Sequence, residues 1–278
     1  MEKKFLLFDL DDTLLTSDKT IAPGTAEAIK ACKEKAMLVG YITGRARPAK
    51  ADSSLFFINK YGLPCDFIAY YNGAEICAGD TSSASVESNV IPYESAMKII
   101  RSLAEAYPNA KIGVMLEPWS YNSKSGENWN NETGEKIKCG IFDLPACDVQ
   151  RIRIEFAEND DKGKLSGFMA EETIFFVNAD GSAMILHKNA LKEHALQKAS
   201  EHFGIPLSGI IAFGDDINDM NMLKTAGTGV AMGNAVDAVK EAADYITESN
   251  DNEGISLWIN KYLLFSCDAN QPNMEDNA

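Results

Sequence analysis

The sequence predicts an α/β fold, a parallel sheet clothed by helices and interrupted by an inserted α+β block. Three observations predict it. Phe5-Leu6-Leu7-Phe8 is a continuous apolar run, the pattern of a strand buried on both faces. Similar short apolar runs alternate with helix-periodic stretches near both ends of the chain, as βαβ units require. Between about Thr81 and His187 the strands instead alternate apolar with polar residues, as in a one-faced antiparallel sheet.

The elements follow in order. After the first strand, Pro23 to Lys35 has helical spacing, and Met37 to Ile42 is a second apolar strand ending in Thr43-Gly44-Arg45. A polar, helix-compatible stretch reaches Tyr61-Gly62. Phe67 to Tyr71 is a third strand, broken by the turn signal Asn72-Gly73 that leads into Ala74-Glu75-Ile76. In the inserted block, Tyr93 to Tyr107 is a helix with Ala96, Ile99, Ile100 and Leu103 on one stripe. Ile152, Ile154 and Phe156 alternate with Arg151, Arg153 and Glu155. Thr173 to Val177 and Ser182 to Leu186 flank the hairpin turn Asn178-Ala179-Asp180-Gly181. The α/β pattern resumes with a helix from Asn189 to Phe203 closed by Gly204. A strand Ile210 to Phe213, a helix after Asp219, a strand Gly229 to Met232, a helix after Asn234, a strand Tyr245 to Thr247 and a helix around Ile255 to Leu263 complete it. The tail Ser266 to Ala278 is polar and expected to be disordered. No internal repeat is visible.

At 278 residues there is room for one large α/β domain or two smaller ones. A net charge of −15 makes nucleic acid an unfavourable partner, while leaving room for a small anionic substrate if the site carries its own cations. No apolar run approaches the roughly 20 residues of a membrane span. The first residues lack the features of a signal peptide, and a cytoplasmic location is expected. Cys32, Cys65, Cys77, Cys139, Cys147 and Cys267 form no CxxC pair and read as reduced, mostly buried thiols. His187, His194 and His202 lack zinc-site spacing. Without an export signal, the sequon at Asn131 has no route to glycosylation.

Three apolar strands end in polar residues: the first in Asp9 and Asp11, the second in Thr43, and a later one in Gly214-Asp215-Asp216-Ile217-Asn218-Asp219. In parallel sheets, ligands bind outside the carboxyl ends of strands, which makes these groups candidates for chemistry. Each also has a plain structural reading. The first can be an acidic turn, the second an ordinary turn, the third a helix N-terminus rich in caps, and Lys192 a solvated helix lysine. An EF-hand loop fails, because Ile217 would occupy a ligand position. Their joint occurrence across three strand ends favours the functional reading.

These segments resemble the haloacid dehalogenase superfamily, in its Cof-type phosphatase branch with a large cap of the C2 type. The resemblance rests on Phe5-Leu6-Leu7-Phe8-Asp9-Leu10-Asp11-Asp12-Thr13, Tyr41-Ile42-Thr43-Gly44-Arg45, Lys192, and Gly214 to Asp219. Tyr71-Asn72-Gly73-Ala74 and Gly229 to Ala235 also look like this branch. Asp12 stands where many members have glycine, and Glu193 follows the lysine where glycine is frequent.

The resemblance implies a Rossmann-like parallel-sheet core at 1–80 and 188–265, an inserted α+β cap at 81–187, and a Mg²⁺-dependent phosphatase acting on small phosphorylated metabolites. It implies Asp9 as nucleophile and Asp11 as general acid and base, an acid whose pKa must rise from about 3.9 to protonate a leaving group. It places Thr43, Gly44, Lys192 and Asn218 on the phosphate. Asp9, Asp11 (through its backbone carbonyl), Asp215 and Asp219 go on or beside the metal. Arg45 and Asn72 are lesser candidates near the cap hinge. Trp119, Tyr121 and Trp129, in a loop from Glu117 to Glu135, are substrate contacts, a protein interface or packing. A phosphohexomutase-like phosphotransferase and a non-catalytic phosphometabolite-binding protein are the alternatives, and the intact set of site residues speaks against the second. Oligomeric state is not legible.

Overall fold

The computed structural model describes residues 3–47, 54–79, 85–116, 119–122, 127–130, 136–138, 140–178 and 180–265. In chain order its principal elements are β1 (Phe5–Phe8), α1 (Pro23–Glu34), β2 (Leu38–Ile42), α2 (Ser54–Lys60), β3 (Phe67–Tyr70), β4 (Glu75–Ala78), β5 (Ser85–Ser88), α3 (Tyr93–Ala106) and β6 (Lys111–Leu116). Then come β7 (Trp119–Asn122), β8 (Glu127–Asn130), β9 (Lys136–Lys138), β10 (Arg151–Glu155), β11 (Thr173–Val177), β12 (Ala183–His187) and α4 (Lys192–Phe203). The last are β13 (Ile210–Gly214), α5 (Met220–Thr225), β14 (Thr228–Ala231), α6 (Asp237–Ala242), β15 (Tyr245–Ile246) and α7 (Gly254–Ile259). The expected tail at 266–278 lies outside the described residues.

The chain divides into two compact units, residues 1–41, 57–66 and 199–278 in one, and 42–56 and 67–198 in the other. The first is built on parallel strands in the order β15-β14-β13-β1-β2. Every residue of β1 and β13 is buried, as the continuous apolar runs require. Phe8 stacks on Phe213 at 4.9 Å between ring centroids, and Trp258 of α7 meets Phe213 edge-on at 5.4 Å. Those contacts lock β1 to β13 and align their ends, where the acids lie.

The second unit holds a seven-stranded antiparallel sheet in the order β11-β12-β10-β6-β7-β8-β9. The α3 stripe Ala96, Ile99, Ile100 and Leu103 packs with Ile112, Val114, Ile152, Ile154 and Ile185 from one face of that sheet. Along β10 the side chains alternate, Ile152 and Ile154 buried, Arg151, Arg153 and Glu155 half-buried. The antiparallel ribbon β3-β4-β5, which is not part of that seven-stranded sheet, belongs to the same unit.

One expectation needs correcting. The stretch from Glu117 to Glu135, expected as a loop, contains the paired strands β7 and β8. Trp119-Ser120-Tyr121-Asn122 alternates aromatic with polar residues, which is a strand period, while Glu127-Asn128-Trp129-Asn130 holds one aromatic, and the polar background hid both strands.

Candidate active site

In the parallel-sheet unit, β1 ends where the Asp9 N–H donates to the Phe213 carbonyl at 3.0 Å. The chain then makes a wide turn over Leu10–Leu14, closed by the Leu15 N–H on the Leu10 carbonyl at 2.8 Å. Asp12 lies at φ 59°, in the left-handed region that favours glycine and that aspartate tolerates better than most residues. That explains why an acid can stand in this position. Asp12 is exposed and faces Lys19, whose ammonium lies 3.1 Å from Asp12 Oδ1 and 3.3 Å from Asp11 Oδ1. Partial burial works against the Lys19 charge, but its bonds to Asp12 and Asp11 outweigh it and raise the pKa.

Asp9, by contrast, is buried. Asp9, Asp215 and Asp219 each present one carboxylate oxygen, and these oxygens all lie within 4.8 Å of one another. Three features make this possible. β1 and β13 are parallel neighbours, so their carboxyl ends coincide. The Thr13 hydroxyl donates to Asp215 Oδ1 at 2.6 Å, fixing that carboxylate from the β1 side. Asp219 folds back under the loop, its Oδ2 accepting the N–H groups of Asp215 and Asp216 at 3.1 Å each. This last needs Gly214, because a Cβ there would come 2.5 Å from the Asp219 Cβ. Asn218 is exposed beside it, on the short turn Ile217–Asp219.

A cluster of carboxylates that is this close and partly buried is costly without a cation. An all-oxygen set of few protein ligands, with room for water, fits a hard divalent ion such as Mg²⁺. The residues present therefore suit the metal.

In the other unit, the residues after β2 and β3 form a second constellation. Thr43 is fully buried, its N–H donating to the Ala69 carbonyl at 2.9 Å and its hydroxyl accepting the Arg45 N–H at 3.1 Å. The Tyr71 N–H donates to the Arg45 carbonyl and the Asn72 N–H to the Thr43 carbonyl. Tyr71 at φ 50°, Asn72 at φ 61° and Gly73 at φ 110° form a run of left-handed residues. Such backbone persists only where its surroundings over-determine it, and it concentrates at functional sites. Here the surroundings are α4. A Cβ on Gly73 would come 2.9 Å from the Leu191 carbonyl, so glycine lets the turn press on the residue before Lys192. Lys192, the first residue of α4, is 2% exposed, an unusual burial for an ammonium.

Of the residues expected from the sequence, Asp9, Asp215 and Asp219 come together in one unit, with Asp11 on the adjoining turn and Asn218 beside Asp219. Thr43, Gly44, Arg45, Asn72 and Lys192 lie in the other unit. Two further residues carry no expectation. Thr13 belongs to the quoted motif, yet its link to Asp215 depends on strand pairing. Arg151, whose Nη1 donates to the Gly44 carbonyl at 2.8 Å, reads in sequence only as the polar phase of an alternating strand.

A family model described as haloacid dehalogenase-like hydrolase matches residues 6–259. The chain belongs to the haloacid dehalogenase-like hydrolases. It is an enzyme of that family's phosphatase kind, a hydrolase of phosphoric monoesters. Among its relatives, a 5-amino-6-(5-phospho-D-ribitylamino)uracil phosphatase of Bacillus subtilis (strain 168) is 28% identical over 275 residues, 95% of this chain and 99% of that protein. A pyridoxal phosphate phosphatase of Escherichia coli (strain K12) is 27% identical over 279 residues, 95% of this chain and 100% of the relative. Among solved structures, a sugar phosphatase of subclass IIB is 26% identical with a TM-score of 0.75, covering 94% of this chain and 99% of its own. A haloacid dehalogenase-like hydrolase from Bacteroides thetaiotaomicron is 26% identical with a TM-score of 0.72, over 94% of this chain and 99% of that one. The fold is thus the family's α/β core with a cap domain. Among the described residues no helix is long and apolar enough to cross a membrane.

Proposed function

We propose that this enzyme is a Mg²⁺-dependent phosphatase of small phosphorylated metabolites, sugar phosphates or similar, working through an aspartyl-phosphate. The observation that carries this reading is the convergence of Asp9, Asp215 and Asp219 at the ends of β1 and β13. The relatives' named substrates, a phosphorylated ribitylaminouracil, pyridoxal phosphate and a sugar phosphate, support a small phosphomonoester. A net charge of −15 speaks against a polyanionic nucleic acid.

In this reading the Asp9 carboxylate attacks phosphorus as the bond to the leaving oxygen breaks, and Asp11 gives that oxygen its proton. Asp11 then takes a proton from water as it attacks the aspartyl-phosphate, releasing inorganic phosphate and restoring Asp9. Lys192, Thr43, the Gly44 backbone and Asn218 hold the phosphoryl oxygens, and the lysine's fixed charge meets the negative charge of the transition state. Arg45 and Asn72 shape the surroundings of that group. Mg²⁺, held by Asp9, Asp215, Asp219 and the Asp11 carbonyl, supplies charge that offsets repulsion between carboxylate and phosphate. Residues 81–187 serve as the cap that selects the substrate, and the cytoplasm is the proposed location.

The test is a screen of phosphorylated metabolites with Mg²⁺, ranked by kcat/KM. Release of phosphate from small monoesters, abolished by EDTA and restored by Mg²⁺, is the expected result. Failure to release phosphate from any of them refutes the reading, and activity indifferent to EDTA refutes the metal's role.

A further inference from the structure

Arg151 opens β10 in a position that the reaction above does not use. Its side chain is half-buried, its Nη1 donates to the Gly44 carbonyl at 2.8 Å, and its guanidinium lies 5.5 Å from the centroid of the Tyr71 ring. The residue is therefore fixed between the two segments, 43–45 and 71–73, that make up the phosphate-binding half of the site.

Among the described residues it is not charge-compensated. Among the described residues no carboxylate forms an ion pair with Arg151. The acids on β10 or in contact with β10 and the residue before it are engaged elsewhere. Asp180 pairs with Arg153 at 2.7 Å, Glu155 with Lys111 at 2.7 Å, and Glu75 accepts from Gln150 at 3.1 Å and lies 3.5 Å from Arg47. Burial pushes the Arg151 pKa below the usual arginine value, and the Arg153 charge adds to that, with Tyr71 acting in the opposite sense. A partly buried guanidinium without a counter-anion is expensive to keep. The bond to Gly44 uses one of five N–H donors, and the planar fork suits an incoming carboxylate or phosphate.

We propose that Arg151 is a substrate-contacting residue whose missing counter-anion is an oxyanion of the substrate held at the Thr43–Gly44 loop. The oxyanion belongs either to the phosphoryl group or to a second acidic group on the leaving portion, and the fork recognises both by the same chemistry. This inference rests on the phosphatase reading of the same site.

The experiment compares wild type, Arg151→Met and Arg151→Lys in the full chain with Mg²⁺. The substrates are p-nitrophenyl phosphate and a phosphorylated hydroxy acid, with inorganic phosphate as competitive inhibitor. The met variant is expected to raise KM roughly ten- to a hundredfold, the scale of a lost hydrogen bond to a charged group, with kcat changed much less. Arg151→Lys keeps the charge but loses the fork and should fall between. A rise for both substrates together with weaker inhibition by phosphate assigns the contact to the phosphoryl oxygens. A rise confined to the acid-bearing substrate assigns it to the second anion. A structural role predicts otherwise. Thermal shifts separate the two, because they read anion binding even without turnover. The Met variant, relieved of an unpaired buried charge, should melt no lower than wild type and lose the stabilisation that inorganic phosphate, or the phosphorylated acid, confers. Unchanged KM, unchanged inhibition and an intact ligand-induced shift, or a Met variant that simply melts lower, overturns the inference. A wild type that binds phosphate through Arg151 but turns over nothing overturns the phosphatase reading alone.

Discussion

The candidate residues of the two compact units differ in charge and are gathered by opposite means. The parallel-sheet unit gathers carboxylates, Asp9, Asp215 and Asp219, at the ends of two adjacent strands whose residues are buried throughout. The other unit gathers cations and backbone dipoles, with a buried Lys192 and a half-buried Arg151 set around a left-handed turn. The acidic half follows from strand pairing. Once Phe5–Phe8 lies parallel to Ile210–Gly214, the acids that follow each strand must meet. The cationic half is assembled from residues 43–45, 71–73, 151 and 191–192, and depends on close approaches that only particular residues allow. A phosphoryl-transfer site needs both: anionic oxygens to attack and to hold a metal, and fixed positive charge to receive an anionic substrate.

The acidic half breaks most completely at Asp9. Asp9→Asn should lower kcat on p-nitrophenyl phosphate by on the order of 10⁴ or more, because the nucleophile is removed rather than weakened. On the cationic side, Lys192→Met should cost on the order of 10²–10³ in kcat, as expected for one fixed charge at the transition state. Equal losses from the two would mean that the lysine does more than stabilise charge.

The metal sharpens the contrast in stability as well as in rate. Mg²⁺ at a hundredfold over its Kd should stabilise wild type by about 2.7 kcal/mol. Asp215→Asn should need far more Mg²⁺ for the same shift in melting temperature, whereas Lys192→Met should not.

The turn that serves the cationic half is sensitive to one methyl group. Gly73→Ala forces a Cβ into φ 110° and to 2.9 Å from the Leu191 carbonyl. It should cost about 1–3 kcal/mol by urea denaturation and depress activity in parallel.

The smallest expected effect concerns Glu87 on β5. Burial opposes its charge, but hydrogen bonds from His194 and Asn89 and the nearby Lys198 prevail and hold its pKa below the usual carboxylate value. A carboxylate with a depressed folded-state pKa stabilises the fold above its unfolded pKa, near 4.3, and loses that contribution as pH falls through the lower folded value. Glu87→Gln should therefore be modestly less stable than wild type at neutral pH and converge with it in acid. Divergence that grows with acidity would contradict the assignment.

Much of the first unit was legible because its signals are local. Apolar runs give buried strands, Pro23 opens α1, and Gly204 at φ 61° closes α4. In the second unit the strict alternation of β10 and the pairing of β11 with β12 also read directly. Illegible parts depend on tertiary context. β7 and β8 were hidden by polar residues, and β6 was not anticipated at all, although it alternates cleanly. Thr13 acquires its partner only when β1 meets β13, and Arg151 is told from Arg153 only by tertiary contacts, the Gly44 carbonyl and Tyr71 ring beside one and the Asp180 carboxylate beside the other. Asp12 shows the converse: it stands where many members of the family have glycine, and the backbone at φ 59° shows what glycine would be for.

The central claim is that Asp9 forms the covalent intermediate, and it can be tested directly. Enzyme quenched during turnover with a phosphorylated substrate and Mg²⁺, then treated with borohydride, should yield peptides in which the residue at position 9 has been reduced to homoserine. The Asp9→Asn variant should yield none. Reduction at another carboxylate, or at none while phosphate is still being released, would contradict the account.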